Sequence, residues 1–269
     1  MSTNQVEVNR PIRVVLFGSG PELNSDAKQF ICRLEEHPEI EFLGAFCQAQ
    51  SQSLQAVFID LWKRRSWLAF PLFAISVINK SMRLLLHRRE EIALQRSLEK
   101  ISDCIQFVPN IHAQNVLEQV CALNPDLGLI YGSPILKPEL FEIPSLGTLG
   151  IHHGKVPEYR GNKTTFWAMY NGERVAGVTI QKVNRGLDTG SIVKTGEVST
   201  QGRSYQAVVH ELETLGLDLY IQAILEVKHG TAEYKPQGGG KGKLYRNPKP
   251  GDFLKFWGRQ IRRRAGIAK

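Results

Sequence analysis

The sequence predicts an α/β fold, a mostly parallel sheet with helices on both faces, extended by a helical insert and a short basic C-terminal helical tail. Three observations predict it. Residues 12–17, IRVVLF, are an almost unbroken β-branched apolar run ending in Gly18-Ser19-Gly20, the pattern of a strand buried on both faces. A helix-period segment and a second strand pattern follow at once, the β-α-β rhythm of a doubly wound sheet. The chain of 269 residues is 42% apolar and 22% charged, which suits one large domain or one domain with a small appendage.

Each element then has its own signal. Residues 25–36 put Ala27, Phe30, Ile31 and Leu34 on one helical face, Pro38 closes the helix, and 41–47 reads as the second strand. The Gly18-Ser19-Gly20 turn suggests a dinucleotide loop, but position 23 is Leu, so no G-x-G-x-x-G is completed. Residues 67–78 are mostly apolar, broken by Pro71 and Ser76, and fall short of the ~20 residues that span a bilayer. Basic residues flank them at 63–65 and at Arg83, Arg88 and Arg89. A helical insert packed on its own domain or on a second copy is the favoured reading; peripheral contact with an anionic membrane through 63–100 is the other. A helical pattern continues over 81–100 with Met82, Leu85, Leu86, Ile92 and Leu98.

The α/β rhythm resumes with a strand at 105–108, a helix at 113–123 and a buried strand at 127–131 (LGLIY). Gly132-Ser133-Pro134 breaks that strand before a helical turn at 138–141. Strands are expected at 146–151, 176–183 and 191–198, with a helix at 164–171. Residues 204–228 form a long helix with Leu212, Leu215, Leu219, Ile221 and Leu225 as its stripe. Gly230 ends it, QGGGKGK at 237–243 reads as a flexible link, and 252–264 is a basic helix with Phe253, Phe256, Trp257 and Ile261 on one face. The expected division is a main domain over 1–230, with the insert at about 60–100, and the link and basic helix over 231–269.

The net charge of +8 is concentrated. Residues 63–100 hold nine Lys/Arg against three Glu, and 241–269 hold ten against one Asp, so the remainder is acidic. Such patches suit an anionic partner, and equally a solvated helix face. The four cysteines lack C-x-x-C spacing, and Cys47 and Cys121 sit among apolar neighbours. Buried thiols in a reducing compartment are expected, with no metal site and no disulfide framework. MSTNQVEVNR is polar and carries no apolar leader.

The chemistry gathers at 149–190. The strands at 146–151 and 176–183 each run into a loop holding one titratable residue, His152 and Asp188, 36 positions apart. If those strands are neighbours, the two residues meet at the sheet's end as a proton-handling pair. Ligands in such sheets bind beyond the strands' carboxyl ends, so the loops after Phe17, Tyr131 and Ile151 should surround the site.

Here the residues carry a resemblance. His152-His153-Gly154-Lys155-Val156-Pro157-Glu158-Tyr159-Arg160-Gly161 resembles the formyltransferase signature N-x-H-x-S-L-L-P-x-Y-R-G. Gly177-Val178-Thr179-Ile180 followed by Gly186-Leu187-Asp188-Thr189-Gly190 resembles that family's second signature, G-V-T-I followed by L-D-T-G. Leu129-Ile130-Tyr131-Gly132 with Leu136 and Pro144 resembles its folate-side strand and loop. The likeness covers roughly 12–47 and 104–200, in a family that includes methionyl-tRNA, glycinamide-ribonucleotide and amino-sugar-nucleotide formyltransferases.

The resemblance implies a Rossmann-like fold and a cytoplasmic N-formyltransferase with 10-formyltetrahydrofolate as donor and a primary amine as acceptor. It implies His152 and Asp188 as catalytic residues. The implied binding positions are Tyr131, Gly132, Gly150, His153, Lys155, Pro157, Arg160, Gly161, Gln181, Thr189 and Gly190. Attack on the formyl carbon develops an oxyanion that needs a preorganised donor; a protonated or hydrogen-bonding His152 could supply it, with Asp188 raising its basicity. One departure stands out. Counted from His152, the family's asparagine position is Gly150, and loss of one oxyanion donor typically costs ~10²–10³ in rate. His153, Asn162, Lys155 or a backbone N–H are the candidate replacements, and Thr164 replaces a frequent proline.

The acceptor is expected to be a small amine, with a nucleotide-linked amino sugar the first candidate. Arg160, Lys163 and Arg185 are candidate anion contacts if it is phosphorylated. A tRNA acceptor is disfavoured, because only about 40 residues follow Gly230 and a separate domain usually needs ~50 or more. A formyltetrahydrofolate hydrolase and a binding protein with a degraded site are the alternatives; homo-oligomerisation is left open.

Overall fold

β1 (Ile12–Ser19) is the strand around which the sheet is built. In the computed structural model, which describes residues 10–20, 22–49, 99, 102–238, 240 and 242–264, it runs between β2 (Ile40–Gln48) and β4 (Leu127–Ile130), parallel to both. The seven-stranded order is β3-β2-β1-β4-β5-β7-β8, with β3 (Ile105–Val108), β5 (Thr148–His152), β7 (Val175–Lys182) and β8 (Ile192–Ser199). β3 through β5 are mutually parallel; β7 and β8 are antiparallel additions at the β5 edge. This is the Rossmann-like α/β architecture the sequence predicts. The apolar run 67–78 and the helical pattern at 81–98 lie outside the described residues.

Burial on both faces explains the unbroken apolar run of β1, because successive side chains point to opposite sides. Ile12, Val14 and Leu16 join α1 (Ser25–Glu36) and α5 (Tyr205–Lys228) on one face. Val15 and Phe17 join α2 (Gln114–Leu123) and α3 (Pro138–Phe141) on the other. α1 begins where the Asn24 side chain accepts from the Ala27 N–H at 2.8 Å, and α5 where Ser204 accepts from the Ala207 N–H at 3.2 Å, each satisfying an orphan donor of the first turn. At the strands' start, Asp126 takes two bonds from Arg10, at 2.7 and 2.8 Å, and one from the Arg13 N–H at 2.9 Å. Burial alone would raise the Asp126 pKa; Arg10 and the Arg13 amide together outweigh it and hold the carboxyl below its ordinary range.

A third core forms beyond β5. There α4 (Thr164–Asn171), β7, β8, α5 and α6 (Pro250–Arg264) enclose Phe166, Val178, Val208, Leu212 and Phe256. The segment read as link and tail contributes β9 (Lys243–Tyr245), which pairs parallel with β6 (Tyr159–Gly161). Tyr159 and Tyr245 stack with centroids 5.0 Å apart, and the Asn171 amide bonds both hydroxyls.

Three expectations are corrected. The expected stripe of α5 is only part of its buried face: Leu212 is buried, and Leu215, Leu219, Ile221 and Leu225 pack half-buried against the cores. The fully buried line also takes in Val208, Gly216, Leu217, Tyr220, Ala223, Ile224 and Val227, because two of the cores meet along this helix. On α6, Phe256 is buried and Phe253 half-buried, while Trp257 and Ile261 are exposed, since Phe166 packs against Phe253 and Phe256. Cys47 is buried, which pushes its thiol up to about 11, but Cys121 is exposed, one position past the inward-facing Val120. Among the described residues, no helix is long and apolar enough to cross a membrane.

Candidate functional site

The pairing of β5 with β7 sets the site. Gly150 lies opposite Gln181 and His152 opposite Thr179, so all four belong to one face of the sheet. Ile151 belongs to the other face and joins the core under α5. Beyond β7 the chain loops through Asp188, which takes the left-handed φ of 50° and turns its carboxylate back toward the end of β5. His152 Nδ1 and Asp188 Oδ1 are then 3.5 Å apart. Asp188 Oδ2 accepts the Gly161 N–H at 2.8 Å.

The tautomer of His152 follows from its other contact. Nε2 lies 2.8 Å from the Tyr159 carbonyl, and a carbonyl only accepts, so Nε2 carries the proton. Gly154 makes that contact available, because a Cβ there would stand 2.5 Å from His152 Nε2 and 2.4 Å from the Tyr159 oxygen. Neutral His152 therefore presents the Nδ1 lone pair to Asp188. The ring is only 8% exposed, and burial holds its pKa below the ordinary 6.5, although Asp188 and the Tyr159 carbonyl pull the other way. In neither protonation state does the imidazole keep a spare N–H for an oxyanion: one N–H is spent on Tyr159, and a second would face Asp188.

A neighbouring cluster centres on Glu213 of α5. Tyr131, which follows β4, donates its hydroxyl to Glu213 Oε2 at 2.8 Å, and His153 Nε2 lies 3.0 Å from the same oxygen. Burial first, then the Glu213 charge, raises the Tyr131 pKa, so the phenol stays a donor. The His153 carbonyl is held by the hydroxyl of Thr164, the residue at the family's proline position.

The other candidates separate. Gly132 has φ 61°, and its carbonyl accepts from Ser19, the last residue of β1. Gly190 passes so close to Lys182 that a Cβ would fall 1.6 Å from the Lys182 carbonyl oxygen. Thr189 donates to Asn184 at 2.9 Å and pins the loop that carries Asp188. Pro157 lies against the C-terminal segment at Gly242, and Arg160 is half-buried on β6. Lys155 points elsewhere: its ammonium pairs with Glu197 of β8 at 2.9 Å, and that hydrogen bond and charge raise its pKa. Lys155 also lines a cavity of about 190 Å³ with Gly154, Glu158, Tyr159 and Glu173, to which neither His152 nor Asp188 contributes. Lys163 and Arg185 are exposed. Among the described residues no cluster of His, Cys, Asp or Glu could hold a metal ion.

Two residues escaped sequence reasoning. Glu213 stands on the inward face of a helix read only for its apolar stripe. Gln237 opens the glycine-rich segment, and its amide nitrogen reaches Gln181 Oε1 at 3.1 Å, the Asp188 carbonyl at 3.0 Å and the Gly190 carbonyl at 2.9 Å.

The chain is similar to known proteins. Methionyl-tRNA formyltransferase of Thermodesulfovibrio yellowstonii is 35% identical over 128 residues, covering 46% of this chain and 41% of that protein; the match spans under half of that relative's length. The phosphoribosylglycinamide formyltransferase structure from Bacillus halodurans aligns at TM-score 0.55 with 15% identity, over 80% of this chain and 94% of that one. A sugar N-formyltransferase structure from a Shewanella species aligns at TM-score 0.58 with 14% identity, over 91% and 86%. At such identities the two structures establish a shared fold. The formyl transferase family model matches residues 45–224, about two thirds of the chain and the segment that holds His152, Gln181 and Asp188, and the protein therefore belongs to the formyl transferase family.

Proposed function

We propose that the protein moves a formyl group from 10-formyltetrahydrofolate to a small primary amine, with His152 and Asp188 as its catalytic pair. The observation that carries this reading is the facing of two acceptor atoms, the Nδ1 lone pair of neutral His152 and Asp188 Oδ1, across 3.5 Å in a buried setting. Two acceptors so placed call for a proton between them. An attacking amine brings one: as its nitrogen bonds to the formyl carbon it turns cationic, and the pair removes a proton from it. The bond from that carbon to the folate nitrogen then breaks, and the proton passes to the departing nitrogen. The Gly161 N–H on Oδ2 and the Tyr159 carbonyl on Nε2 fix both members before substrate arrives.

A nucleotide-linked amino sugar is the first acceptor to test, with methionyl-tRNA beside it. Purified full-length protein is incubated with 10-formyltetrahydrofolate, each amine in turn, and no amine, and tetrahydrofolate release is followed. The expected result is release only with an amine, and a drop of roughly 10²–10⁴-fold in kcat/KM for Asp188→Asn. Release without any amine assigns the pair to water activation and hydrolysis. No release under any condition, or full activity of Asp188→Asn, removes the proposal.

A further inference from the structure

Gly150 leaves the site without the amide side chain of the family signature, and the backbone does not demand a glycine there. A Cβ at 150 would meet only Val183 Cγ2 at 3.5 Å and Ile130 Cβ at 3.7 Å, ordinary contact distances. The side chain directly across the sheet is that of Gln181, on the same face, buried at 7% exposure. Its Nε2 stands 3.5 Å from Asp188 Oδ1, the oxygen that faces His152.

The orientation of that amide is set from the backbone outward. Gln237 reaches the carbonyl oxygens of Asp188 and Gly190 at 3.0 and 2.9 Å. Carbonyls only accept, so the Gln237 atom facing them is its NH2 group. The same NH2 is 3.1 Å from the Gln181 side chain, which must therefore offer its oxygen. The Gln181 NH2 is then turned toward Asp188, and flipping it would set two donors against each other at Gln237. Of its two N–H bonds, one is directed at Asp188 Oδ1, and no acceptor among the described residues takes the other. His152 has no spare N–H to compete for that role.

We propose that Gln181 is a further catalytic residue, whose amide N–H replaces across the β5–β7 pair the donor absent at Gly150, and that Gln237 is the positioning residue that aims it. The assignment rests on the formyl-transfer reading and deepens it. In the tetrahedral intermediate the former formyl oxygen carries the negative charge, and the Gln181 N–H donates to it. The C-terminal segment, beyond the residues matched by the family model, thus supplies a working part of the site.

The test uses full-length protein and steady-state formyl transfer to whichever amine supports it. Gln181→Met keeps the volume and removes the donor; kcat is expected to fall by about 10²–10³-fold while KM for the folate donor changes less than about threefold. Gln237→Met leaves Gln181 free to turn and is expected to lower kcat by about tenfold, a loss of ~1.4 kcal/mol of transition-state stabilisation. The decisive variant is Gly150→Asn in the Gln181→Met background, expected to regain at least about tenfold in kcat, an effect a scaffold role does not produce. Thermal midpoints of all variants are measured alongside. Transfer that survives Gln181→Met, or that is lost without rescue in a double variant that still binds the folate donor, overturns this assignment alone. Absence of transfer by the unmodified protein overturns both the assignment and the formyl-transfer reading.

Discussion

At His152 two physical effects oppose each other. Asp188 favours the imidazolium, whereas removal of the ring from water disfavours it, and burial is the larger influence. The group required in its neutral form therefore stays neutral below its ordinary pKa of 6.5. The acid limb of kcat/KM, which reports the free enzyme's essential base, should lie below pH 6.5. Stability has the same sign: the unfolded chain takes up the proton first, so this residue's contribution is complete above about 6.5 and declines as pH falls toward the folded value. A pH–rate profile with full activity only well above 6.5 would show that Asp188 controls the ring instead. The pair was legible in the sequence because both signatures survive around it, with Gly177–Ile180 before the loop and Leu187–Gly190 on it. Gln181 was legible only as an implied binding position, and its orientation by Gln237 was not legible at all. Gln181 and Gln237 lie 56 positions apart with no shared pattern, and only the β5–β7 register and the return of the C-terminal segment join them.

Among the elements, α5 is the one whose burial differs most from its pattern, and Tyr220 shows why. Its ring stacks on Phe30 with centroids 4.8 Å apart, and its hydroxyl lies between two strands. It accepts the Ile130 N–H at 2.9 Å and lies 2.8 Å from the Leu149 carbonyl, stitching β4 to β5 just before Gly150. A tyrosine in a leucine-rich stretch reads as a boundary residue, since the strand groups that satisfy its hydroxyl are remote in sequence. Tyr220→Phe keeps the ring but strands a buried N–H and removes a donor from a carbonyl, and an unsatisfied buried polar group costs about 1–3 kcal/mol. Urea unfolding should show a loss in that range with an unchanged slope; a loss below a few tenths would mean that water enters and replaces the hydroxyl. β6 and β9 were illegible for a different reason. Three residues each are too few to display a two-residue alternation, and their pairing is parallel and long-range.

At the scale of the whole molecule, the sequence suggests a main domain followed by a flexible link and a basic helical tail, because the tail's glycines and charges differ so plainly from what precedes them. In the described structure that segment is tied twice to the site and once to the adjoining core. Gln237 holds the Asp188 loop, β9 pairs with the strand whose Gly161 N–H holds the Asp188 carboxylate, and Phe256 of α6 fills a core with Phe166 and Tyr205. If these contacts make one cooperative unit, damage to the tail must be felt by the whole domain. Phe256 is 1% exposed, and truncating a buried phenylalanine costs about 3–5 kcal/mol through lost transfer energy and the cavity left behind. Phe256→Ala should therefore lower the urea midpoint of a single transition seen alike by far-ultraviolet dichroism and by aromatic fluorescence. Leu254→Ala, on the same helix but 52% exposed, should leave that midpoint nearly unchanged. A Phe256→Ala protein that instead loses α6 in an early, separate step, with the main transition where it was, would show the tail to be an appendage docked on a self-sufficient domain.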